Sequence, residues 1–197
     1  MADPARRRAT YDDVLAAPAN MVAEIFDGEL RLSPRPAKPH AAARAALGEE
    51  LGPPFKRGRG GPGGWIILDE PELHLGADIL VPDLAGWRRE RMGALVDDEP
   101  FFTIAPDWVA EVISPRTSKY DRTDKLRIYA RARAKVAWAW LVDPLARTLE
   151  VLSLGADGRW VVRDAFRDHT KVRAEPFDAI ELDLSILWAD VVIPDKP

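Results

Sequence analysis

The sequence predicts a single α/β domain of the α+β kind, with a mixed central β-sheet flanked by helices and an N-terminal hairpin. Three observations carry this. Short runs rich in Val, Ile, Trp and Leu alternate with stretches of helical composition, in the order helix, hairpin, helix, strands, helix, strands. Two of the runs, DWVAEVIS and VAWAWLVD, enclose residues 118–134, which lack proline and glycine, as a parallel strand pair with a helical crossover would. The 197 residues, 47% of them hydrophobic, suffice for one domain burying roughly 70% of its unfolded surface. The domain is expected to span 1–197, with 1–10 flexible.

Taken in order, Tyr11 to Ala17 reads as a short helix. AEIFDGELRLSP reads as a hairpin, because Asp27-Gly28 suits the positive φ angles of a tight turn. HAAARAALGEEL, residues 40–51, has helical Ala/Leu spacing. RGRGGPGG, residues 57–64, has the glycines of a phosphate cradle but neither a GK[ST] ending nor a following helix, so a flexible connection is the better reading. WIILDEPELHL and DILVPDLAGW are strand-like, with prolines marking interruptions. Ser118 and Asp121 resemble a helix-capping pair at the start of the crossover. RTLEVLSL and RWVVRDAF form a late hairpin around Asp157-Gly158.

Composition removes several classes. No apolar run approaches the roughly 20 residues of a membrane span. No apolar stretch follows the basic residues of MADPARRRATYDD, so a secretory leader is not expected. Zero cysteines exclude disulfides and thiolate metal sites, which fits a cytoplasmic location. His40, His74 and His169 are far apart and do not predict a zinc site. The net charge of −4 does not advertise nucleic-acid binding. Basic residues cluster at Arg6-Arg7-Arg8, at Lys56-Arg57 with Arg59, at Arg88-Arg89 with Arg91, and at Arg131, Arg133 and Lys135. Each cluster reads more readily as a solvated face than as a phosphate track. Trp138 and Trp140 share one strand face, suiting core packing first and a homodimer interface second.

Two carboxylates look misplaced. Asp83 follows Pro82 inside an apolar run, and Glu111 stands among Val109, Ala110, Val112 and Ile113. Burying an unpaired carboxylate is costly, so each needs a cation, a metal ion or water beside it. A half-exposed strand face would satisfy either alone. Together, on separate strands and followed by a helix carrying Lys125, they suit Mg²⁺, which takes hard oxygen ligands and keeps several waters. Asp121, Lys125 and Tyr129 lie one turn apart on one helix face; the plain reading of the first two is a surface ion pair. Ser114 reads as a cap or turn residue, and Asp143 before Pro144 as a turn residue.

VPDLAGW, EVISPRTSKYDRTDKLRIYARA and WAWLVDPLARTLEVL, in this order, resemble the PD-(D/E)XK nuclease superfamily, and within it the Uma-type restriction endonuclease family. The resemblance covers nearly the whole chain. It implies a restriction-endonuclease-like core with a metal site where the central strands diverge. It further implies a DNA phosphodiester substrate and Mg²⁺, with Mn²⁺ as an alternative, held by Asp83, Glu111 and the main-chain carbonyl of Ile113. The superfamily pattern asks for lysine two residues after the glutamate, where this chain has Ile113; Lys125 on the neighbouring helix is the matching candidate. Glu24 matches the family's early glutamate, an accessory acid. The expected function is a metal-dependent endonuclease. The alternative is a catalytically inactive descendant that binds nucleic acid or protein, or an interaction protein. No membrane association is expected, and a homodimer stays open.

Overall fold

The computed structural model of the protein describes residues 7–95, 98–131 and 136–192. Arg6, Arg133, Lys135 and the expected helix end at Ala134 lie outside them. Within the stretch expected to be flexible, Arg7 pairs with Asp13 at 2.6 Å and the Ala9 N–H donates to the Gly28 carbonyl at 2.8 Å. Helix α1 (Tyr11–Leu15) leads to the hairpin of β1 (Met21–Phe26) and β2 (Glu29–Pro34), in which Phe26 faces Glu29. Its turn residues Asp27 and Gly28 have φ of 55° and 85°, as a two-residue hairpin turn requires. Helix α2 (Lys38–Leu51) starts two residues before the expected His40. Pro39 fits its first turn, where an N–H would have no intrahelical partner. Its buried stripe is His40, Ala43, Leu47 and Leu51, and it continues into a π-helical turn, Gly52–Lys56.

The two strand-like runs after the glycine loop each break and cross between sheets. WIILDEPELHL gives β3 (Trp65–Asp69) and β4 (Glu72–Leu75), with Glu70 at φ 45° between them. DILVPDLAGW gives β5 (Asp78–Leu80) and β6 (Leu84–Arg88), parted at Val81-Pro82-Asp83, where proline has no ladder donor. The Glu70 N–H donates to the Asp83 carbonyl at 3.1 Å, tying the two crossings together. Helix α3 (Arg89–Met92), β7 (Phe101–Phe102) and β8 (Trp108–Val112) follow.

The crossover is a continuous helical run: α4 (Ser118–Tyr120), a π-helical turn (Asp121–Lys125) and α5 (Leu126–Ala130). It ends earlier than the sequence pattern predicts. Arg131 is extended at ψ 147°, its guanidinium pairs with Asp78 and Asp27, and the Val136 N–H returns to the Tyr129 carbonyl at 3.2 Å. The chain then enters β9 (Trp138–Asp143), parallel to β8 as expected, and the hairpin of β10 (Thr148–Leu154) and β11 (Trp160–Arg167). Strands β12 (Lys171–Val172) and β13 (Leu182–Asp183) and a 3₁₀ turn, Leu184–Trp188, close the chain.

Two mixed sheets result, of order β11-β10-β9-β8-β6-β3 and β2-β1-β5-β4-β7, with β12-β13 as a separate pair. Tryptophan supplies much of the core. Phe177 has its ring centroid 4.8 Å from those of Trp65 and Trp108, 5.6 Å from Trp140 and 4.7 Å from Phe55. Trp140 is fully buried, and its indole N–H donates to the Glu175 carbonyl at 2.7 Å. Trp138 packs half-buried against the same cluster. The face these two share is therefore core, the first of the two readings. Gly86 permits the ring contact, since a Cβ there would stand 3.1 Å from the Trp108 ring and 3.2 Å from that of Trp65. Among the described residues no helix is long and apolar enough to cross a membrane.

Phe177→Ala leaves a void among four aromatic rings. It should lower unfolding stability by about 3–5 kcal/mol, read as a reduced urea midpoint with unchanged m-value; a loss below about 1 kcal/mol would contradict this account of the core.

Candidate active site

The break at Pro82 puts Asp83 where β6 stops pairing with β8. The last pair of that ladder is Leu84 with Ala110, so the next step along it brings Asp83 to Glu111. Asp83 Oδ2 takes the Val112 N–H at 2.7 Å, replacing the ladder bond that the broken strand no longer makes. Its Oδ1 lies 3.2 Å from His40 Nε2, on the first turn of α2. Glu111 shares its side of β8 with Val109 and Ile113, which pack into the second apolar cluster together with Tyr129. A carboxyl group is accommodated there because the crossover helix brings its partners. Lys125 Nζ donates to Glu111 Oε2 at 2.9 Å, and the Tyr129 hydroxyl to Oε1 at 2.7 Å.

Lys125 is a hub. Its ammonium is also 3.3 Å from Glu24 Oε1 on the hairpin, 3.7 Å from Asp121 Oδ1 one turn earlier, and 3.3 Å from the Val81 carbonyl at the strand break. Glu24 Oε1 in turn accepts the Val81 N–H at 2.9 Å. Glu111 is 1% exposed, Asp121 3%, Glu24 5% and Lys125 6%, so little water screens these charges. The expected surface pair of Asp121 and Lys125 is thus buried. The N-cap position is Thr117 rather than Ser118, and no side chain caps the helix there; Ser114 Oγ contacts Thr117 Oγ1 at 2.9 Å. Asp121, which Thr117 also hydrogen-bonds, faces the cluster. The π turn there widens the helix, a distortion frequent at functional sites.

The electrostatics are lopsided. Burial alone would lower the Lys125 pKa, but Glu111, Glu24 and Asp121 outweigh it and hold the group well above its usual range, as an ammonium. Burial pushes Glu24, Asp121 and Glu111 up, with Lys125 opposing in each case; Asp121 and Asp83 add to the rise at Glu111. Burial and the facing Glu111 also push the Tyr129 phenol well up, so it stays a donor. One ammonium does not balance these acids. Burial disfavours their charged forms, and a further cation would favour them.

Glu24, Asp83, Glu111 and Lys125 all line one cavity of about 430 Å³, with His40 and Asp121. Sequence reasoning had passed over His40 as an ordinary histidine, although its place in the 40-43-47-51 stripe marks it as inward-facing. Ile113, at the superfamily's lysine position, sends its side chain into the core and its N–H to the Val142 carbonyl at 2.6 Å. Asp143 Oδ1 accepts the N–H groups of Leu145 and Ala146, as a turn residue does. Among the described residues no three His, Asp or Glu side chains are gathered as a ready-made cage for a metal ion. Lys125 occupies the centre of the acids instead. The donor chemistry still fits Mg²⁺, which needs one or two carboxylates and completes its shell with water and phosphate oxygens.

The family model described as Uma2, "Putative restriction endonuclease", matches residues 9–186. The chain belongs to the Uma2 family. A crystal structure from Anabaena variabilis ATCC 29413, of a "putative nuclease belonging to DUF820", superposes with a TM-score of 0.72 at 22% identity, covering 92% of this chain and 98% of that one. At that identity the likeness shows the fold. No curated protein matches. In this Uma2 chain the residues that converge on the cavity come from the hairpin, α2, both sides of the strand break, β8 and the crossover helix.

Lys125→Met would leave Glu24, Glu111 and Asp121 buried without their counter-charge, at a cost of about 3–5 kcal/mol at neutral pH. Their folded-state pKa values would then lie still further above the unfolded ones, so the native state would bind more protons and stability would fall as pH rises above the ordinary carboxylate range. Urea unfolding should show a smaller deficit at pH 5 than at pH 8; an equal deficit would mean the ammonium does not serve these acids.

Proposed function

We propose that the protein is a divalent-metal-dependent endonuclease that hydrolyses DNA phosphodiester bonds, acting in the cytoplasm as a single restriction-endonuclease-like domain over 1–197. Family membership supports the nuclease reading. The observation that carries the site is the convergence of Asp83, Glu111, Glu24 and Lys125 on one cavity. Asp83 and Glu111, with the Ile113 carbonyl, would hold Mg²⁺ or Mn²⁺. Bound there, the ion would neutralise phosphate charge and lower the pKa of an attacking water.

The chain's own groups do the rest. Bare acids would repel a DNA phosphate, so the negative floor is consistent with an anionic substrate only when a cation stands between them. Lys125, fixed as an ammonium by its carboxylates, orients the water and faces the charge that develops at phosphorus. Tyr129 and Lys125 between them fix both oxygens of Glu111. His40 and the Val112 N–H do the same for Asp83. The water oxygen bonds to phosphorus, one P–O ester bond breaks, and the departing oxygen takes a proton from a solvent water. Glu24, whose pKa burial raises, takes the proton that the water gives up.

With Mg²⁺ or Mn²⁺, the wild type should nick plasmid DNA, and Glu111→Ala or Asp83→Ala should slow this by about 100-fold or more while circular dichroism stays native. Cleavage by either variant at the wild-type rate would sink the assignment; DNA binding without cleavage in any divalent metal would favour the inactive-descendant reading. In a separate measurement, Mg²⁺ at about 100 times its Kd should raise the wild-type Tm by roughly 5–10 °C, and Asp83→Ala should abolish that rise.

A further inference from the structure

The walls above the acidic floor differ from the floor in chemistry. Strand alternation sends Val22, Glu24 and Phe26 of β1, and Arg31 and Ser33 of β2, to one face of the hairpin, and all five line the cavity. Arg31 stands opposite Glu24 in the register, one layer nearer the rim. Across the cavity, the loop before α4 supplies Arg116 and the helix supplies Tyr120. The Arg31 guanidinium carbon lies 5.4 Å from the centroid of the Tyr120 ring. The Arg31 guanidinium pairs with Glu29 at 2.8 Å through one terminal nitrogen, while its Nε is buried and has no hydrogen-bond partner. Arg35 joins the rim beside Pro34 and Pro36.

The Arg31 guanidinium rests over the half-buried Tyr120 ring in a cation–π contact, with two more arginines at the mouth, so a base that displaces it finds an aromatic face beside three cations. The floor is nearly inaccessible, so a phosphate must descend into the cavity to reach Lys125 and the acids. A phosphate on an intact duplex is held on a stiff ridge and brings a second strand with it. An unpaired strand can bend inward and lay its base on an aromatic face or an arginine plane. The volume, about 430 Å³, lies within the range of roughly 300–1,000 Å³ usual for small-ligand pockets.

We propose that the rim formed by Arg31, Arg35, Arg116 and Tyr120 is a pocket for one unstacked nucleotide, making single-stranded or frayed DNA the favoured substrate over intact duplex. This rests on the nuclease reading of the same cavity and names its substrate class. Tyr120 supplies the stacking face once the base displaces Arg31 from it, Arg31 then caps the base, and Arg35 and Arg116 take the flanking phosphates.

The test is fluorescence anisotropy with a labelled 12-nucleotide single strand and the blunt duplex of the same sequence, at equal salt in Ca²⁺, run beside a cleavage assay in Mg²⁺. The wild type should bind the single strand more tightly. Tyr120→Leu should weaken single-strand binding roughly 5- to 100-fold with duplex binding unchanged, as loss of one stacked base implies, and Tyr120→Phe should retain wild-type affinity. Equal or tighter binding of duplex by the wild type, or a strand preference that survives Tyr120→Leu, overturns the pocket. If cleavage persists in that case, the nuclease reading stands without it. Single-strand preference lost in Tyr120→Leu, with no cleavage in any metal, supports the pocket and sinks the nuclease reading. Binding of neither oligonucleotide overturns both.

Discussion

Lys125 is one ammonium shared by carboxylates from three parts of the chain: Glu24 on the hairpin, Glu111 on a central strand, and Asp121 on the lysine's own helix. None of the four is more than slightly exposed. This constraint organises everything near it. It fixes the hairpin against the strand break, because Glu24 also holds the Val81 N–H. It fixes the crossover helix against β8, because Tyr129 and Lys125 together take both oxygens of Glu111. A buried ion cluster is poor evidence for stability, since apolar residues of similar volume often do as well. Keeping surplus acids beside a single cation therefore argues for chemistry at the site.

The frame around the cluster is stiff. The aromatic packing of Trp65, Trp108, Trp140 and Phe177 lies under the six-stranded sheet, and Gly86 lets two of those rings approach the backbone. Two strand breaks, at Glu70 and at Val81-Pro82-Asp83, carry the chain from one sheet to the other and are joined by a hydrogen bond. At such a break the ladder leaves polar groups over, and Asp83 satisfies one of them, the Val112 N–H, while keeping its other oxygen toward His40 and the cavity. The same local irregularity thus opens the site and supplies a carboxylate to it.

Much of this was legible in the sequence for identifiable reasons. Asp27-Gly28 dictated its hairpin through turn geometry, and the parallel pair of β8 and β9 followed from the helical segment between them. Asp83 and Glu111 stood out because carboxylates in apolar runs need partners, and Lys125 because it followed them on a helix. What local pattern could not reveal depends on long-range pairing. Asp121 looked like a helix-start acid, since nothing local shows that the helix presses it against Glu24 and Glu111. His40 looked ordinary because its partner, Asp83, is 43 positions away. Trp138 and Trp140 left core and interface open, which only the layer covering that face decides. The helix end at Ala130 was hidden because Arg131 leaves the helix to reach Asp78 and Asp27, acids more than 50 positions earlier.

The central claim is that Asp83 and Glu111 together hold one divalent cation with the amine of Lys125 beside it. Crystals soaked in Mn²⁺ and measured at the manganese edge test it most directly. The account predicts an anomalous peak bridging the two carboxylates within about 2.3 Å of an oxygen from each. Saturating Mn²⁺ that leaves Lys125 closed on Glu111, with no peak between the two acids, would contradict it.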